Sequence, residues 1–296
     1  MLQTSNVLNM KRIVFLFVFS SFIVVGCSNK PEPEQDRQVV IFVTPKSLTN
    51  SSLKSSATFV EDEIQKILLF GVDDQNGVEE IFVTNTPSPN GVTLTISRKI
   101  KSFYAIANPS PEIESANPSN VSALNDMMSD FSNHPMSPFL MSGKASIIDE
   151  TVHIELVRVV AKIRIIGEND FQISSVTVMN TSSKGYVFSK TPFSVPTGKT
   201  DYEPIISSNP TFYVAENTTV SPTKLVVSGQ LYGKQAHYTI EQLTTNGGKP
   251  VDILRNTYYE VSVTPNTEYE CSIKITILDW ADIPVDSHTI PDENFE

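Results

Sequence analysis

The sequence predicts an all-β protein built from two tandem β-sandwich domains. From Gln38 onward apolar and polar residues alternate with a period of two, and proline, asparagine, serine and glycine separate short β-branched runs. Hydrophobic residues make up 40% of the chain and charged residues 19%, enough apolar content for packed cores. A body of about 260 residues suits two modest domains. We place them at residues 38–150 and 151–296.

The first predicted strand is apolar on both faces and ends at Pro45, as expected of a strand between two neighbours and a core. It consists of Val39, Val40, Ile41, Phe42 and Val43. Four further strands are predicted in this domain, each with turn residues at its ends, at 64–70, 80–83, 92–96 and 103–107. Residues 121–131 carry apolar side chains at helical spacing and are the one predicted helix, with Asn120 or Ser122 as its N-cap.

The second domain is predicted to contain longer strands. They are expected at 152–156, 159–166, 173–179, 211–214, 225–232, 236–240, 258–263 and 271–280. Residues 181–210 are rich in serine, threonine, proline and asparagine, which favours an extended surface loop. Cys271 shares a strand face with Ile273, Ile275 and Ile277, so we interpret it as a buried structural thiol.

The N-terminus carries the pattern of an export signal. Lys11 and Arg12 precede an apolar-leaning run at 13–25, which is shorter than the roughly 20 residues of a membrane span. The run ends in Gly26 and Cys27, and the segment resembles the signal peptides of bacterial lipoproteins. That resemblance implies removal of residues 1–26 and lipidation, including palmitate, of Cys27 at the outer membrane. Residues 27–37 are polar and proline-stiffened, as a tether to a folded body would be.

Charge and motif content argue against several classes of function. The net charge is −11 and lysine and arginine do not cluster, which disfavours nucleic acid as a partner. The four histidines lie in separate segments without the spacing of metal ligands. Asp286, Ser287 and His288 are adjacent in an extended stretch, so their side chains alternate and cannot form a catalytic relay by themselves. We therefore predict no enzyme activity, cofactor or metal site.

Several segments together resemble the fimbrillins of Bacteroidetes, the subunits of surface pili that are made from lipoprotein precursors. The similarity rests on residues 103–108, 156–163, 212–217 and 255–261, and on a last strand ending in Asp279 and Trp280. The resemblance implies two transthyretin-like β-sandwich domains. It also implies a structural subunit of a fimbrium on the cell surface that assembles with other fimbrillin subunits and has a role in adhesion.

The same resemblance implies an assembly mechanism. In fimbrillins an extracellular protease removes a first strand, and the vacated groove accepts a strand from the next subunit. Here the removable segment would be residues 38–54, including the strand from Val39 to Val43. Trypsin-like cleavage after arginine is expected in the following loop, but residues 45–58 contain only Lys46 and Lys54 as basic residues. Lys54 is the best positional match for processing, whereas cleavage after Arg37 would release the body without opening a groove.

Two alternatives remain open at this point. The missing loop arginine is compatible with an anchor subunit that is never cut and stays lipid-bound through Cys27. A surface glycan-binding lipoprotein of a nutrient uptake system would also combine this signal with tandem β-sandwiches. Five aromatic residues could line a sugar-binding face, although their alternating strands favour core positions. These residues are Phe212, Tyr213, Tyr258, Tyr259 and Trp280.

Overall fold

The computed structural model describes residues 36–46, 61–85 and 91–280, and almost all of its regular structure is β. This confirms the predicted all-β class. The strands are β1 Arg37–Pro45, β2 Ile67–Val72, β3 Val78–Thr84, β4 Val92–Ile96, β5 Ser102–Ala107, β6 Met128–Asp130, β7 Met141–Ser146, β8 Thr151–Arg158, β9 Val160–Gly167, β10 Phe171–Met179, β11 Thr181–Ser182, β12 Lys184–Tyr186, β13 Lys199–Thr200, β14 Ile205–Ile206, β15 Thr211–Ala215, β16 Lys224–Leu231, β17 Lys234–Ile240, β18 Thr257–Pro265 and β19 Cys271–Asp279.

The part of the chain that the structure describes has two short helices, and one of them lies within the single helix predicted at 121–131. The helix α1 spans Pro111–Glu114, and α2 spans Val121–Asn125. Asn120 caps α2, as one of the two predicted caps, because its side-chain oxygen accepts a hydrogen bond from the Ala123 amide. The predicted continuation to residue 131 does not form, since β6 leaves the helical path and pairs with β12. Within the described residues, neither helix has the length and apolarity needed to cross a membrane.

The first group of strands forms a seven-stranded sheet in the order β3-β2-β5-β7-β8-β1-β4. Its two halves fold towards each other, because one core contains Ile41 of β1 together with Ile67 and Leu69 of β2. The turning point lies where β7 and β8 share only two residue pairs. Gly143 permits this crossing, since a Cβ atom there would lie 2.2 Å from the Glu155 carbonyl oxygen.

The outer face of the β2–β5 half carries a second core. Side chains of Leu68 and Phe70 pack there against Ile113 of α1 and Leu124 of α2. Phe188, in the segment for which the sequence predicts a surface loop, closes the same cluster and makes an edge-on contact with the Tyr104 ring. The predicted loop at 181–210 is therefore tied into the structure by buried side chains and by the short strands β11 to β14.

The strand β8 belongs to the first sheet, although the sequence places residues 151–158 in the second domain. Its alternating residues Val152, Ile154 and Leu156 fill the first core, and it pairs in parallel with β1. The chain moves to the next set of sheets between Arg158 and Val160, eight residues after the predicted boundary at 150/151. The residues that the structure describes all belong to one compact unit.

The second group of strands forms a β-sandwich. One four-stranded sheet has the order β14-β10-β16-β17, and the other has the order β15-β9-β18-β19. A single core lies between them, containing Val176 and Val227 from the first sheet and Ile163 and Val261 from the second. Cys271, predicted to be buried, is half-buried against this core, and its burial raises the pKa of the thiol.

Candidate functional site

The strand β1, which contains the predicted removable strand, is paired along both of its edges. It runs antiparallel to β4 from the pair Arg37–Ile96 to the pair Ile41–Val92. It runs parallel to β8 from the pair Val40–Thr151 to the pair Pro45–Leu156. Loss of β1 would therefore expose rows of unpaired backbone donors and acceptors on two neighbouring strands.

The two faces of β1 are buried to different extents. Val39 and Ile41 are 0% and 1% exposed in the first core, and Val43 packs against the same cluster. Val40 and Phe42 point the other way and are half-buried. The Phe42 ring stacks on His153 of β8, with ring centroids 4.9 Å apart and planes 8° from parallel. The strand is thus apolar on both faces, as predicted, but only one face is fully enclosed.

The ends of β1 are fixed by two basic side chains. Arg37 donates from Nη2 to the Ile100 carbonyl oxygen at 2.7 Å. Lys46, directly after β1, donates from Nζ to the Asp279 carboxylate at 2.5 Å and from its amide to the Leu156 carbonyl oxygen at 2.7 Å. Arg37 is part of the sheet, so cleavage after it would first require this end of β1 to open. The other predicted site residues, Cys27 and Lys54, lie outside the described residues.

Glu61 has a carboxylate that receives three side-chain hydrogen bonds. Oε1 accepts from Lys162 Nζ at 2.8 Å and from the Tyr213 hydroxyl at 2.6 Å. Oε2 accepts from Trp280 Nε1 at 2.9 Å. Burial acts to raise the pKa of Glu61, but the Lys162 charge and the three hydrogen bonds outweigh it and hold the pKa below its ordinary value. Burial and the neighbouring Glu61 raise the pKa of the Tyr213 hydroxyl.

The next residue, Asp62, pairs with the buried guanidinium of Arg158 at the end of β8. The same guanidinium donates to the Glu61 carbonyl oxygen at 3.3 Å and lies 4.5 Å from the centroid of the Trp280 ring. Burial lowers the pKa of Arg158, although the two carboxylates oppose this shift. We call these six side chains the anchor cluster: Glu61, Asp62, Arg158, Lys162, Tyr213 and Trp280.

The anchor cluster also connects to the end of β1. Arg158 Nη1 donates to Asn256 Oδ1 at 2.9 Å, and Asn256 Nδ2 donates to Asp279 Oδ1 at 3.5 Å. Asp279 in turn holds Lys46. Both ends of the chain segment 47–60 are therefore fixed to one polar network. Sequence patterns do not single out Glu61 and Asp62, since an acidic pair after a polar stretch has the same pattern as a solvated turn.

Acid is expected to open the anchor cluster at Glu61. Because folding lowers the pKa of Glu61, its stabilising effect is complete above the unfolded value of about 4.3 and is lost as the pH falls through the lower folded value. Trp280 is the only tryptophan of the chain, so its emission reports directly on this contact. We expect an emission change below about pH 4 that is absent or smaller in Glu61→Gln. Equal profiles for Glu61→Gln and the wild type would contradict this assignment, and Glu241→Gln is the matched control.

The five aromatic residues considered for a sugar-binding face are packed into the structure. Phe212, Tyr258, Tyr259 and Trp280 are at most 4% exposed. Tyr213 is half-buried, and its ring stacks on the Trp280 ring with the ring centroids 5.6 Å apart. These residues therefore form no exposed planar platform. Within the described residues, no three histidine, cysteine, aspartate or glutamate side chains are grouped to hold a metal ion, so we assign no metal ligands.

Comparisons with known proteins are consistent with this architecture. The closely similar folds include a putative cell adhesion protein from Bacteroides eggerthii, with a TM-score of 0.61 at 16% identity over 84% of this chain and 97% of that chain. A putative cell adhesion protein from Parabacteroides distasonis gives a TM-score of 0.62 at 14% identity, over 86% and 99%. The tip fimbrial protein Mfa3 from Porphyromonas gingivalis, with a C-terminal truncation, gives 0.59 at 16% identity, over 82% and 100%. At these identities the likeness shows a shared fold.

The sequence itself matches one family. No curated protein matches it. Residues 68–283 match the family described as Mfa2, the fimbrillin-A associated anchor proteins Mfa1 and Mfa2. This match covers most of the chain and confirms the fimbrillin-like resemblance noted from the sequence. The chain therefore belongs to the family of fimbrillin-A associated anchor proteins Mfa1 and Mfa2.

Proposed function

We propose that this protein is a structural subunit of a cell-surface fimbrium that assembles by strand exchange. In this proposal it is exported as a lipoprotein through Cys27, loses residues 38–54, and accepts a strand from another fimbrillin subunit in the place of β1. Adhesion is the downstream role. The observation that carries the proposal is the position of β1, which is paired on both edges and fills the first core with Val39 and Ile41.

The groove left by β1 would favour a replacement strand. Fully burying a valine or isoleucine side chain is worth about 1.5–3 kcal/mol, and an added strand also regains main-chain hydrogen bonds. The donor would need apolar residues at three alternate positions, corresponding to Val39, Ile41 and Val43. It would run antiparallel to β4 and parallel to β8, as β1 does.

The fold suggests how the two predicted domains would be arranged. We assign the seven-stranded sheet and the following β-sandwich to the two transthyretin-like domains, with the division after Arg158. Processing near Lys54 would then act on the connection between the first and second strands of the first domain. Arg37 is a less suitable site because it is paired with Ile96 and bound to Ile100.

An uncut anchor subunit is the second candidate. Two observations favour it: residues 45–58 contain no arginine, and the matching family is described as one of anchor proteins. In this case β1 remains in place and Cys27 stays the permanent attachment to the outer membrane. The glycan-binding alternative has less support, because the aromatic residues that suggested it are packed into the structure.

N-terminal sequencing of protein isolated from surface fimbriae separates these candidates. Strand exchange predicts a new N-terminus at Ser55 or close to it, with residues 38–54 absent. An anchor predicts a lipidated Cys27 on the same material. Fimbriae in which every copy retains residues 38–54 would contradict processing of this strand. Lys54→Gln is the matched variant, and we expect it to retain the N-terminal segment.

A further inference from the structure

The two ends of segment 47–60 are held with different firmness. Before the segment, Lys46 and Asp279 form an ion pair whose side chains are 36% and 32% exposed. After the segment, Arg158 and Asp62 are 2% and 15% exposed. Exposed ion pairs contribute little, whereas separating a buried pair leaves an uncompensated charge. Of these two ion pairs, the one at Asp62 is therefore the stronger, and the one at the end of β1 the weaker.

The ion pair of Asp62 with Arg158 lies at the end of β8, the strand that pairs in parallel with β1. Arg158 is the last residue of β8, two residues after Leu156, which is the partner of Pro45 in the parallel pairing. The guanidinium contacts Asp62, Asn256, the Glu61 carbonyl oxygen and the Trp280 ring. All four of these contacts come from outside β1. They can therefore persist when β1 leaves.

We infer that Glu61 and Asp62 are positioning residues for strand acceptance. By fixing Arg158, they hold the receiving edge of β8 in place while the groove is empty. This inference rests on the proposed function and goes beyond it, because it assigns a role in assembly to residues that lie outside both β1 and the incoming strand. It also requires that cleavage fall before Glu61, so that the anchor cluster stays on the body.

The physical reason is the cost of a buried charge without its partners. If Glu61 and Asp62 lose their carboxylates, the Arg158 guanidinium keeps its positive charge but loses the two anions that compensate it, and neutral acceptors such as Asn256 Oδ1 and the main-chain carbonyl oxygen of residue 61 are left in their place. Rotation of the side chain towards water would then move the end of β8. With β1 in place, six residue pairs oppose this movement. In the empty groove this restraint is missing, so the effect on strand acceptance should exceed the effect on the intact fold.

A strand-replacement assay on the whole exported chain tests the inference. A recognition sequence for a site-specific protease is inserted within residues 47–60, the folded protein is nicked there, and a labelled synthetic peptide of residues 36–46 is added in excess. Uptake of the peptide is measured by native mass spectrometry and by its dissociation constant. We expect the nicked wild type to exchange β1 for the peptide. The double variant Glu61→Gln and Asp62→Asn should bind the peptide about tenfold more weakly, or worse.

Two controls separate positioning from general stability. Glu241→Gln removes a carboxylate from the exposed pair with Lys224 and should leave peptide affinity unchanged. Val261→Ala lowers stability in the second core without touching the anchor cluster, and it should also leave peptide affinity unchanged. If the double variant does not fold, the single variant Asp62→Asn, which retains the Glu61 carboxylate, gives the same comparison.

The outcomes distinguish this inference from the proposed function. A nicked wild type that never takes up the peptide overturns strand exchange, and with it the role of Glu61 and Asp62. Equal peptide affinity in the wild type and in the variant of Glu61 and Asp62 overturns only the positioning role. A loss of affinity in Val261→Ala as large as in that variant also overturns it, since general destabilisation would then explain both results.

Discussion

Replacing Ile41 by alanine is expected to lower the free energy of unfolding by about 2–5 kcal/mol. The side chain is 1% exposed and packs in the core that joins the two halves of the first sheet. Truncation removes the transfer energy of three carbon atoms and leaves a cavity between β1 and β2, because the packed strands can collapse only in part. Urea denaturation followed by circular dichroism measures the loss.

The control for Ile41→Ala compares one valine-to-alanine substitution on the inner face of β1 with another on its outer face. Val39→Ala removes two methyl groups from the core, whereas Val40→Ala removes them from the half-buried outer face. We expect the first to cost clearly more than the second. Similar losses for Val39→Ala and Val40→Ala would show that β1 does not use the inward register that strand exchange requires.

Replacing Arg158 by methionine is expected to lower the free energy of unfolding by about 3–5 kcal/mol. The substitution keeps an apolar chain of similar length but removes the charge that compensates Asp62, which is 15% exposed at its side chain. It also removes the donor to the Asn256 oxygen and the contact with the Trp280 ring. A carboxylate left without its buried partner is costly in a way that an exposed one is not.

Lys224→Met is the matched control for Arg158→Met. The Lys224–Glu241 pair has side chains 42% and 67% exposed, so its loss should cost between 0 and about 1 kcal/mol. Adding Asp62→Asn to Arg158→Met should recover part of the loss, because no unpaired carboxylate then remains. A cost for Arg158→Met no larger than for Lys224→Met would rule out the anchor cluster as a stabilising element.

The sequence predicts β1 well because the signal is local. Five consecutive apolar residues ended by proline mark the strand, and the structure extends it only by two residues at each end. The partners of β1 are not local: β8 lies more than 100 residues further along the chain, and its parallel pairing leaves no mark in the period-two pattern. For the same reason the sequence groups β8 with the strands that follow it, whereas in the structure β8 pairs within the seven-stranded sheet.

Two other differences also come from tertiary contacts. The apolar spacing at 121–131 fits a helix, but pairing of β6 with β12 overrides it beyond Asn125. The sequence pattern does not reveal the role of Glu61 and Asp62, since that role depends on Arg158 and Trp280, which are about 100 and 220 residues further along the chain. The sequence favours a core position for Trp280, and its side chain is buried directly after β19. The sequence pattern does not specify that its indole nitrogen donates a hydrogen bond to a carboxylate.

The departure of β1 is tested most directly by locking the strand in place. Val40 and Thr93 are paired across β1 and β4, and paired residues of antiparallel strands lie about 4.5–5.5 Å apart, within the range of a disulfide. Both positions face away from the enclosed side of β1, so Val40→Cys with Thr93→Cys leaves the first core intact. Strand exchange predicts that the oxidised double variant does not enter fimbriae and that reduction restores its incorporation to the level of either single variant. Undiminished incorporation of the oxidised, disulfide-locked protein would contradict the removal of β1.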